Sequence, residues 1–248
     1  MKLRFMTYNT SHGQPIYEEE PTISLELLAD VIRKSDADIV VLNEIYGRVA
    51  GSGLFPAAQA EKIAAHIGYH CYFARSVMLW GNHPYGNAIL SKYPIVETKI
   101  FPVPEPVKPY ESPYYEDRSV CRCVVEFLAE GELRRVAVYA SHYGLSPAEH
   151  TCAVKTTLGA MEGETLPYVF MGDLNMQPDN EIMTPLFEKM TDTACVLEGD
   201  CFTFPADKPE IKIDYIFTSD QIKPVYAKVI KTFASDHRPL ICDAEIDW

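Results

Sequence analysis

The order of predicted helices and strands indicates an α/β fold of the α+β type, in which two packed β-sheets carry helices on their outer faces. The 248-residue chain first alternates strand with helix, then runs through consecutive strands, and then alternates again. Apolar runs rich in β-branched residues predict buried strands, and apolar residues at helical spacing predict amphipathic helices. No internal repeat or linker interrupts the pattern, so we expect one domain over residues 1–248.

The N-terminal part of the chain predicts two helices between strands. Residues 22–35 have apolar positions at helical spacing, with Thr22 as the candidate N-cap. A second helix, at 57–67, ends at Gly68, a residue type that suits the left-handed backbone of a helix C-terminus. The remaining features here are strands at 2–8 and 38–43 and a Gly-rich loop at 47–53.

Strands dominate the middle of the chain, and the alternation returns towards the C-terminus. Predicted strands cover 69–75, 86–91, 95–101, 118–128, 133–141, 167–172, 212–218, 224–231 and 238–246. Helices are predicted at 147–161, after the start signal Ser146-Pro147, and at 180–190. The Pro- and Tyr-rich stretch 101–115 is either a surface loop or a wall or lid of a binding site.

Composition and charge narrow the classes of function. The formal net charge is −13, and no basic run occurs, so the bulk charge does not favour nucleic-acid binding. The seven cysteines include no CxxC pair, and we expect reduced thiols. The sequence begins with a strand-like run and contains no apolar stretch long enough to span a membrane. We therefore expect a cytoplasmic protein, and no feature predicts a protein partner.

Polar residues lie at the ends of the predicted apolar strands. Each one alone has an ordinary interpretation as a turn or cap residue. Strand ends in a layered α/β fold converge on one rim, however, and such rims bind ligands. The joint pattern therefore predicts a functional site. Its members are Asn9, Glu44, His142, Asp173, Asn175, Asp214, Asp236 and His237.

This residue set predicts metal-assisted phosphate chemistry. Carboxylate oxygens and amide carbonyls are hard ligands that suit Mg²⁺ or Mn²⁺, whereas zinc prefers Cys and His. Such a cation neutralises phosphate oxygens and stabilises the transition state. The two histidines can transfer protons or donate hydrogen bonds to a phosphoryl oxygen.

Several segments, in their order along the chain, resemble the endonuclease/exonuclease/phosphatase superfamily. They are MTYNTSHG, VVLNEIYG, YGNAILSKYPI, ASHYGLSPAEH, VFMGDLNMQP, TFPADKPEIKIDYIF and SDHRPL. The resemblance as a whole covers residue 5 to about residue 245. The resemblance implies a DNase I-like, four-layer α/β/β/α sandwich with two mixed sheets inside and helices outside.

The resemblance also implies roles for individual residues. Glu44 would be the main metal carboxylate, with Asn9 and Asp236 near the same ion. Asp173 would align and deprotonate the attacking water, and Asn175 would hold the phosphate or that water.

The remaining implied roles concern the two histidines. His237 would contact a non-bridging oxygen or transfer a proton, oriented by Asp214 through its other ring nitrogen. His142 would be a second catalytic histidine.

The chain departs from the family pattern at two places. Asn43 precedes Glu44 where Gln is common, and we expect the shorter amide to lose a supporting contact. The segment after Asn9 lacks the Asp-Gly of abasic-site endonucleases, which weakens a DNA-repair interpretation. Further candidates for substrate binding are Arg118, Asn87 and His12, each of which also has a structural interpretation.

The function predicted from these observations is hydrolysis of a phosphoester by metal-assisted attack of water. A phosphodiester is the favoured substrate, as a small molecule, a nucleotide or a lipid headgroup, because its alkoxide leaving group suits a general acid. The alternatives are a phosphomonoesterase, an endo- or exonuclease acting on DNA or RNA, and a phosphate-binding protein without catalysis. The intact set of acidic residues argues against the last alternative.

Overall fold

Two six-stranded sheets pack face to face in the computed structural model, which describes residues 1–16, 23–48, 58–107 and 115–248. One buried apolar cluster lies between the sheets. Each of the other two lies between one sheet and the helices on its outer face. The predicted four-layer α/β/β/α sandwich is confirmed. Thr22, residues 49–53 of the Gly-rich loop and residues 108–114 of the long loop lie outside the described residues.

The first sheet contains both chain ends. Its strands are β1 (Lys2–Asn9), β2 (Ile39–Tyr46), β3 (His70–Leu79), β4 (His83–Ser91), β11 (Ile222–Val229) and β12 (Leu240–Ile246). The order is β11-β12-β1-β2-β4-β3, and β1 and β2 form the one parallel pair.

The second sheet carries the other half of the predicted strand-end residues. Its strands are β5 (Ile95–Pro102), β6 (Ser119–Ala129), β7 (Glu132–His142), β8 (Tyr168–Asp173), β9 (Thr191–Asp192) and β10 (Asp214–Thr218). The order is β5-β6-β7-β8-β10-β9, with β7 and β8 parallel and the other pairs antiparallel.

Side chains alternate along each central strand between the two apolar layers. In β1, Leu3 and Phe5 point into the core between the sheets, while Met6 and Tyr8 face the helices. This alternation follows from the two-residue period of a strand, and both faces of β1 are buried. Each sheet can therefore hold its neighbouring sheet on one side and its helices on the other.

The helices are α1 (Leu25–Ser35), α2 (Gln59–Ile67), α3 (Pro147–Ala160) and α4 (Thr184–Lys189). The N-cap of α1 is Ser24, whose side chain accepts from the backbone N–H of Leu27. Gly68 ends α2 as predicted, with φ 76°. In α3, Ser146 and Glu149 form a capping box, which satisfies N–H groups at the start of that helix.

Several predicted boundaries differ from the structure. The predicted helix at 180–190 is a short 3₁₀ turn, Glu181–Met183, followed by α4. Strand β4 begins at His83 rather than at residue 86, and it forms a hairpin with the lengthened β3. The last strand begins at Leu240 rather than at residue 238. No helix among the described residues is both long and apolar enough to cross a membrane.

Candidate active site

A β-bulge places Glu44 at the site. The pairing of β2 with β4 shifts register between Leu42 and Ile45, and Glu44 adopts φ 56°. A bulge re-aims side chains, and a non-glycine residue with positive φ stores strain that is common at functional sites. Glu44 was expected to end its strand, whereas β2 continues through it to Tyr46.

The strand ends of both sheets meet at a cavity of about 420 Å³. Asp236 and His237 enter it from the loop before β12. The residues lining the cavity are His12, Glu44, Tyr46, Leu79, Tyr85, Glu116, Arg118, His142, Leu145, Asp173, Asn175, Phe204, Asp236 and His237. Four of these described residues are acidic, whereas Arg118 is the one Lys or Arg among them. The cavity is therefore rich in acidic groups.

The carboxylate of Asp173 is held at the centre by two donors. The side-chain amide of Asn9 donates to Oδ2 at 2.9 Å, and the backbone N–H of Asn175 donates to Oδ1 at 2.9 Å. Asn175 itself has φ 50°. Burial and the nearby Asp214 carboxylate raise the pKa of Asp173 to about 7. A carboxylate in this state can exchange a proton near neutral pH.

Glu44 is held by two side chains from neighbouring strands. Asn9 Nδ2 lies 3.0 Å from Oε1 of Glu44, and the Tyr85 hydroxyl donates to Oε2 at 2.9 Å. Burial and the Glu44 carboxylate raise the pKa of Tyr85 well above its usual value, so the phenol keeps its proton as a donor. The local sequence around Tyr85 does not indicate this contact, because it depends on the pairing of β2 with β4.

His237 is oriented by Asp214. Its Nδ1 lies 2.9 Å from Oδ2 of Asp214, and its Nε2 lies 3.7 Å from Oδ2 of Asp173. Burial lowers the pKa of His237, but the surrounding carboxylates, led by Asp214, outweigh this effect and raise it to about 10. The imidazolium is therefore favoured, with Nε2–H available towards the cavity.

His142 has the opposite electrostatic environment. Its Nδ1 lies 2.9 Å from Nη1 of Arg118, a group that can only donate. Nδ1 therefore accepts from Arg118. The other ring nitrogen, Nε2, lies 3.1 Å from the side-chain amide Nδ2 of Asn175 and 3.7 Å from Oδ2 of Asp173. Burial, Arg118 and His237 lower the pKa of His142 well below its usual value. The two histidines thus differ in charge, with His237 favoured as the imidazolium and His142 as the neutral ring.

Two of the three predicted substrate-binding residues line the cavity, and the third does not. Arg118 and His12 line the cavity, and the His12 ring lies edge-on to Tyr46 with ring centroids 5.7 Å apart. Asn87 is buried and does not line the cavity, since its Oδ1 accepts from the Asn43 amide at 2.7 Å. The position of Asn87 therefore suits support of Asn43 rather than contact with a substrate.

The family of the chain follows from comparison with known proteins. A model described as "Endonuclease/Exonuclease/phosphatase family" matches residues 6–237. The chain belongs to the endonuclease/exonuclease/phosphatase family. Members of this family are metal-dependent phosphoesterases and nucleases. No curated protein matches the chain.

Solved structures from this family share its fold. An endonuclease/exonuclease/phosphatase from Beutenbergia cavernae DSM 12333 has a TM-score of 0.76 and 25% identity, over 99% of this chain and 72% of that one. A mannosyl-6-phosphatase from Bacteroides thetaiotaomicron VPI-5482 has a TM-score of 0.74 and 16% identity, over 99% and 100%. The human Nocturnin catalytic domain has a TM-score of 0.73 and 16% identity, over 99% and 95%.

The donor set of this family member fits a divalent cation. Glu44 and Asp236 both line the cavity, and burial together with Glu44 raises the pKa of Asp236 against the opposing effect of His237. Asp214 Oδ1 is buried without a hydrogen-bond partner. Half-buried carboxylates that face one cavity favour a compensating positive charge, and their oxygens are ligands that Mg²⁺ and Mn²⁺ prefer.

A second group of side chains that could ligate a metal contains none of the predicted metal ligands. One donor atom each from Asp173, Asp214 and His237 lies within 4.8 Å of the others. We interpret this cluster as a proton-transfer group, because Nδ1 of His237 is already committed to Asp214.

Proposed function

We propose that this family member is a Mg²⁺- or Mn²⁺-dependent phosphodiesterase for small substrates. The observation that carries the proposal is the convergence of Glu44, Asp173, Asp236 and both histidines on one cavity of about 420 Å³. Such a cavity is of a size that suits a small molecule. Without a cation, its carboxylates would repel the phosphate of a substrate.

Glu44 and Asp236, with Asn9 beside them, would hold the cation. When bound, a divalent cation neutralises phosphate oxygens and stabilises the charge that develops in the transition state. The hydrogen bonds from Asn9 and Tyr85 fix the direction of the Glu44 carboxylate. Such supporting contacts orient a ligand before the ion binds.

Asp173 would accept the proton of the attacking water. Two hydrogen bonds hold its carboxylate, so its orientation is set before the substrate enters. The side-chain amide of Asn175 lines the same cavity and would hold the phosphate or the water. Positioning of this kind lowers the activation barrier, because the water is ordered on binding and loses less entropy in the transition state.

The two histidines and Arg118 would act on the phosphoryl group. Nε2 of each histidine lies 3.7 Å from Oδ2 of Asp173, and the Nε2–H of His237 suits donation to a non-bridging oxygen or to the leaving alkoxide. Arg118 donates to Nδ1 of His142 and adds a positive charge at the cavity wall. Donors that are held before the reaction stabilise developing charge without reorganisation.

The charge of the cavity favours a diester over the alternatives. A diester carries one negative charge fewer than the dianion of a monoester, and Arg118 is the one Lys or Arg among the described lining residues. A nuclease is disfavoured because a nucleic acid would bring further phosphates to a chain of net charge −13.

The test is hydrolysis of bis-p-nitrophenyl phosphate beside p-nitrophenyl phosphate, with EDTA, Mg²⁺ or Mn²⁺. We expect metal-dependent turnover of the diester, reduced by roughly 10² to 10⁴-fold in Asp173→Asn. Asp179→Asn, the same change at an exposed position, is the control and should retain turnover. Turnover of the monoester alone would replace the proposal by a phosphatase, and full activity of Asp173→Asn would remove Asp173 as the base.

A further inference from the structure

Trp80 occupies an unfavourable position at the tip of the β3–β4 hairpin. Its side chain is 67% exposed, and its backbone has φ 45°. A bulky residue in the left-handed region is strained, and Gly or Asn would fit the turn better. The ring stacks beside Tyr46, a residue of the active-site cavity, with centroids 6.4 Å apart. A strained, exposed aromatic at the edge of a site points to a role in binding.

A groove continues from the active-site cavity past Trp80. Its volume is about 490 Å³, and it shares Leu79 and Glu116 with the cavity. Val77, Met78 and Trp80 supply the rest of its apolar lining, and Met78 is 41% exposed. A substrate whose phosphate lies in the cavity can therefore extend into the groove without leaving the surface of the protein.

The charges of the groove restrict what can occupy it. Glu116 and Asp117 lie at one side, next to Tyr115, and no Lys or Arg is among the described residues that line it. The guanidinium of Arg118 contacts Glu116 at 2.8 Å and is already engaged with His142. A second phosphate in this groove would meet acidic side chains, whereas an uncharged hydrocarbon group would bury Val77, Met78 and Trp80.

We propose that this groove binds an uncharged, apolar alcohol group of the phosphoester substrate, and that Trp80 is a specificity-determining residue. The proposal rests on the proposed function for the position of the phosphate. It narrows the substrate to a phosphoester of a hydrocarbon-bearing alcohol and excludes an extended polyanion. The strain and exposure of Trp80 are then explained by the apolar contact that the substrate makes.

The test compares three ligands that differ only beyond the phosphate: methyl phosphate, hexyl phosphate and 1,6-hexanediol bisphosphate. The chain has two tryptophans, so Trp248→Phe leaves Trp80 as the single indole reporter. In that variant, with Mg²⁺ present, we expect hexyl phosphate to change the fluorescence and to bind at least about tenfold more tightly than methyl phosphate, since each buried methylene contributes about fourfold. The bisphosphate should bind more weakly than hexyl phosphate.

Trp80→Asn separates a binding role from a structural one. Asn tolerates the left-handed backbone, so we expect a Tm that is unchanged or raised, while the preference for hexyl over methyl phosphate falls by about fivefold or more. This preference is measured as competitive inhibition of bis-p-nitrophenyl phosphate hydrolysis, or by calorimetry if that substrate is not turned over. Trp248→Phe is the matched control and should keep the preference.

Three results would overturn the proposal. They are equal affinity for methyl and hexyl phosphate, tighter binding of the bisphosphate than of hexyl phosphate, and a lowered Tm in Trp80→Asn with the preference retained. Failure of the proposed function is distinguishable, because it appears as absent metal-dependent turnover, whereas the fluorescence titration reports the groove without catalysis. Absence of binding by all three ligands would also remove the groove as a substrate subsite.

Discussion

Asn43 connects the strands that carry the reacting groups. Its side chain is fully buried between the sheets, where Nδ2 donates to Oδ1 of Asn87 at 2.7 Å and to the carbonyl of Ser141 at 3.0 Å. Its Oδ1 accepts from the backbone N–H of Asp173 at 2.9 Å. One amide therefore joins β2 and β4 of the first sheet to β7 and β8 of the second. The short side chain of Asn43 thus makes three hydrogen bonds.

Asn43→Asp should disturb the site through this amide. A carboxylate cannot donate, so Asn87 and Ser141 would each lose a donor, and the buried acceptors would be left unpaired. We expect kcat for bis-p-nitrophenyl phosphate to fall by roughly 10 to 100-fold, with a smaller change in KM and weaker metal binding. Steady-state kinetics and a metal titration measure this outcome.

The control for this prediction is Asn180→Asp, the same chemical change outside the site. The Asn180 side chain acts as an acceptor from the N–H of Ile182, a role that a carboxylate fills equally well. The Asn180→Asp variant should retain both activity and stability. Unchanged kinetics in Asn43→Asp would show that the links through Asn43 do not position the reacting groups.

At the scale of elements, the sequence predicted which strands bear the site but not how they present it. The pattern of apolar runs ending in Asn9 and Asp173 is local, and the strands appear as expected. The bulge at Glu44 depends on pairing with β4, a strand more than 35 residues away in the chain, so no local pattern indicates it. The same pairing turns Asn87 towards Asn43 and brings Tyr85 to Glu44.

The parallel pair β7–β8 requires a glycine at position 172. A Cβ on Gly172 would collide with the backbone carbonyl of Ser141, and the residue has φ 151°. His142 and Asp173 directly follow these two residues, in paired register. We expect Gly172→Ala to push the strands apart, to lower the free energy of unfolding by roughly 3 kcal/mol, and to reduce turnover.

Urea denaturation measures this effect, with Gly159→Ala as the matched control. Gly159 lies on the exposed face of α3, and a Cβ there would meet open space. Alanine should stabilise that helix by roughly 0.5–1 kcal/mol, because glycine loses more backbone entropy. Wild-type stability in Gly172→Ala would mean that the two strands can separate without cost.

At the scale of the whole molecule, a charged cluster ties the two ends of the chain together. Strands β1 and β12 pair antiparallel in the middle of the first sheet. Arg4 donates to both carboxylate oxygens of Asp243, at 2.6 and 3.0 Å, and Lys2 lies 3.0 Å from Oδ2. The Asp243 side chain is only 7% exposed, so this bidentate pair is better shielded from solvent than a typical surface ion pair.

Asp243 should make the stability of the protein depend on pH. The hydrogen bond from Arg4 holds the pKa of Asp243 below its usual value, against the opposing effect of burial. Asp243→Asn should therefore lower the free energy of unfolding at pH 7 by about 2 kcal/mol.

Because the folded pKa of Asp243 is depressed, its contribution is complete above the unfolded value of about 3.9 and is lost as the pH falls through the folded pKa. The difference between the wild type and Asp243→Asn, measured by urea denaturation, should thus be constant from pH 7 to about pH 5 and shrink below pH 4. Asp247→Asn removes the same charge at an exposed position of the same chain end and should change stability by less than about 0.5 kcal/mol. A difference that grew on acidification would mean that the folded state binds the proton of Asp243 more readily than the unfolded chain, which is opposite to the effect of its contact with Arg4.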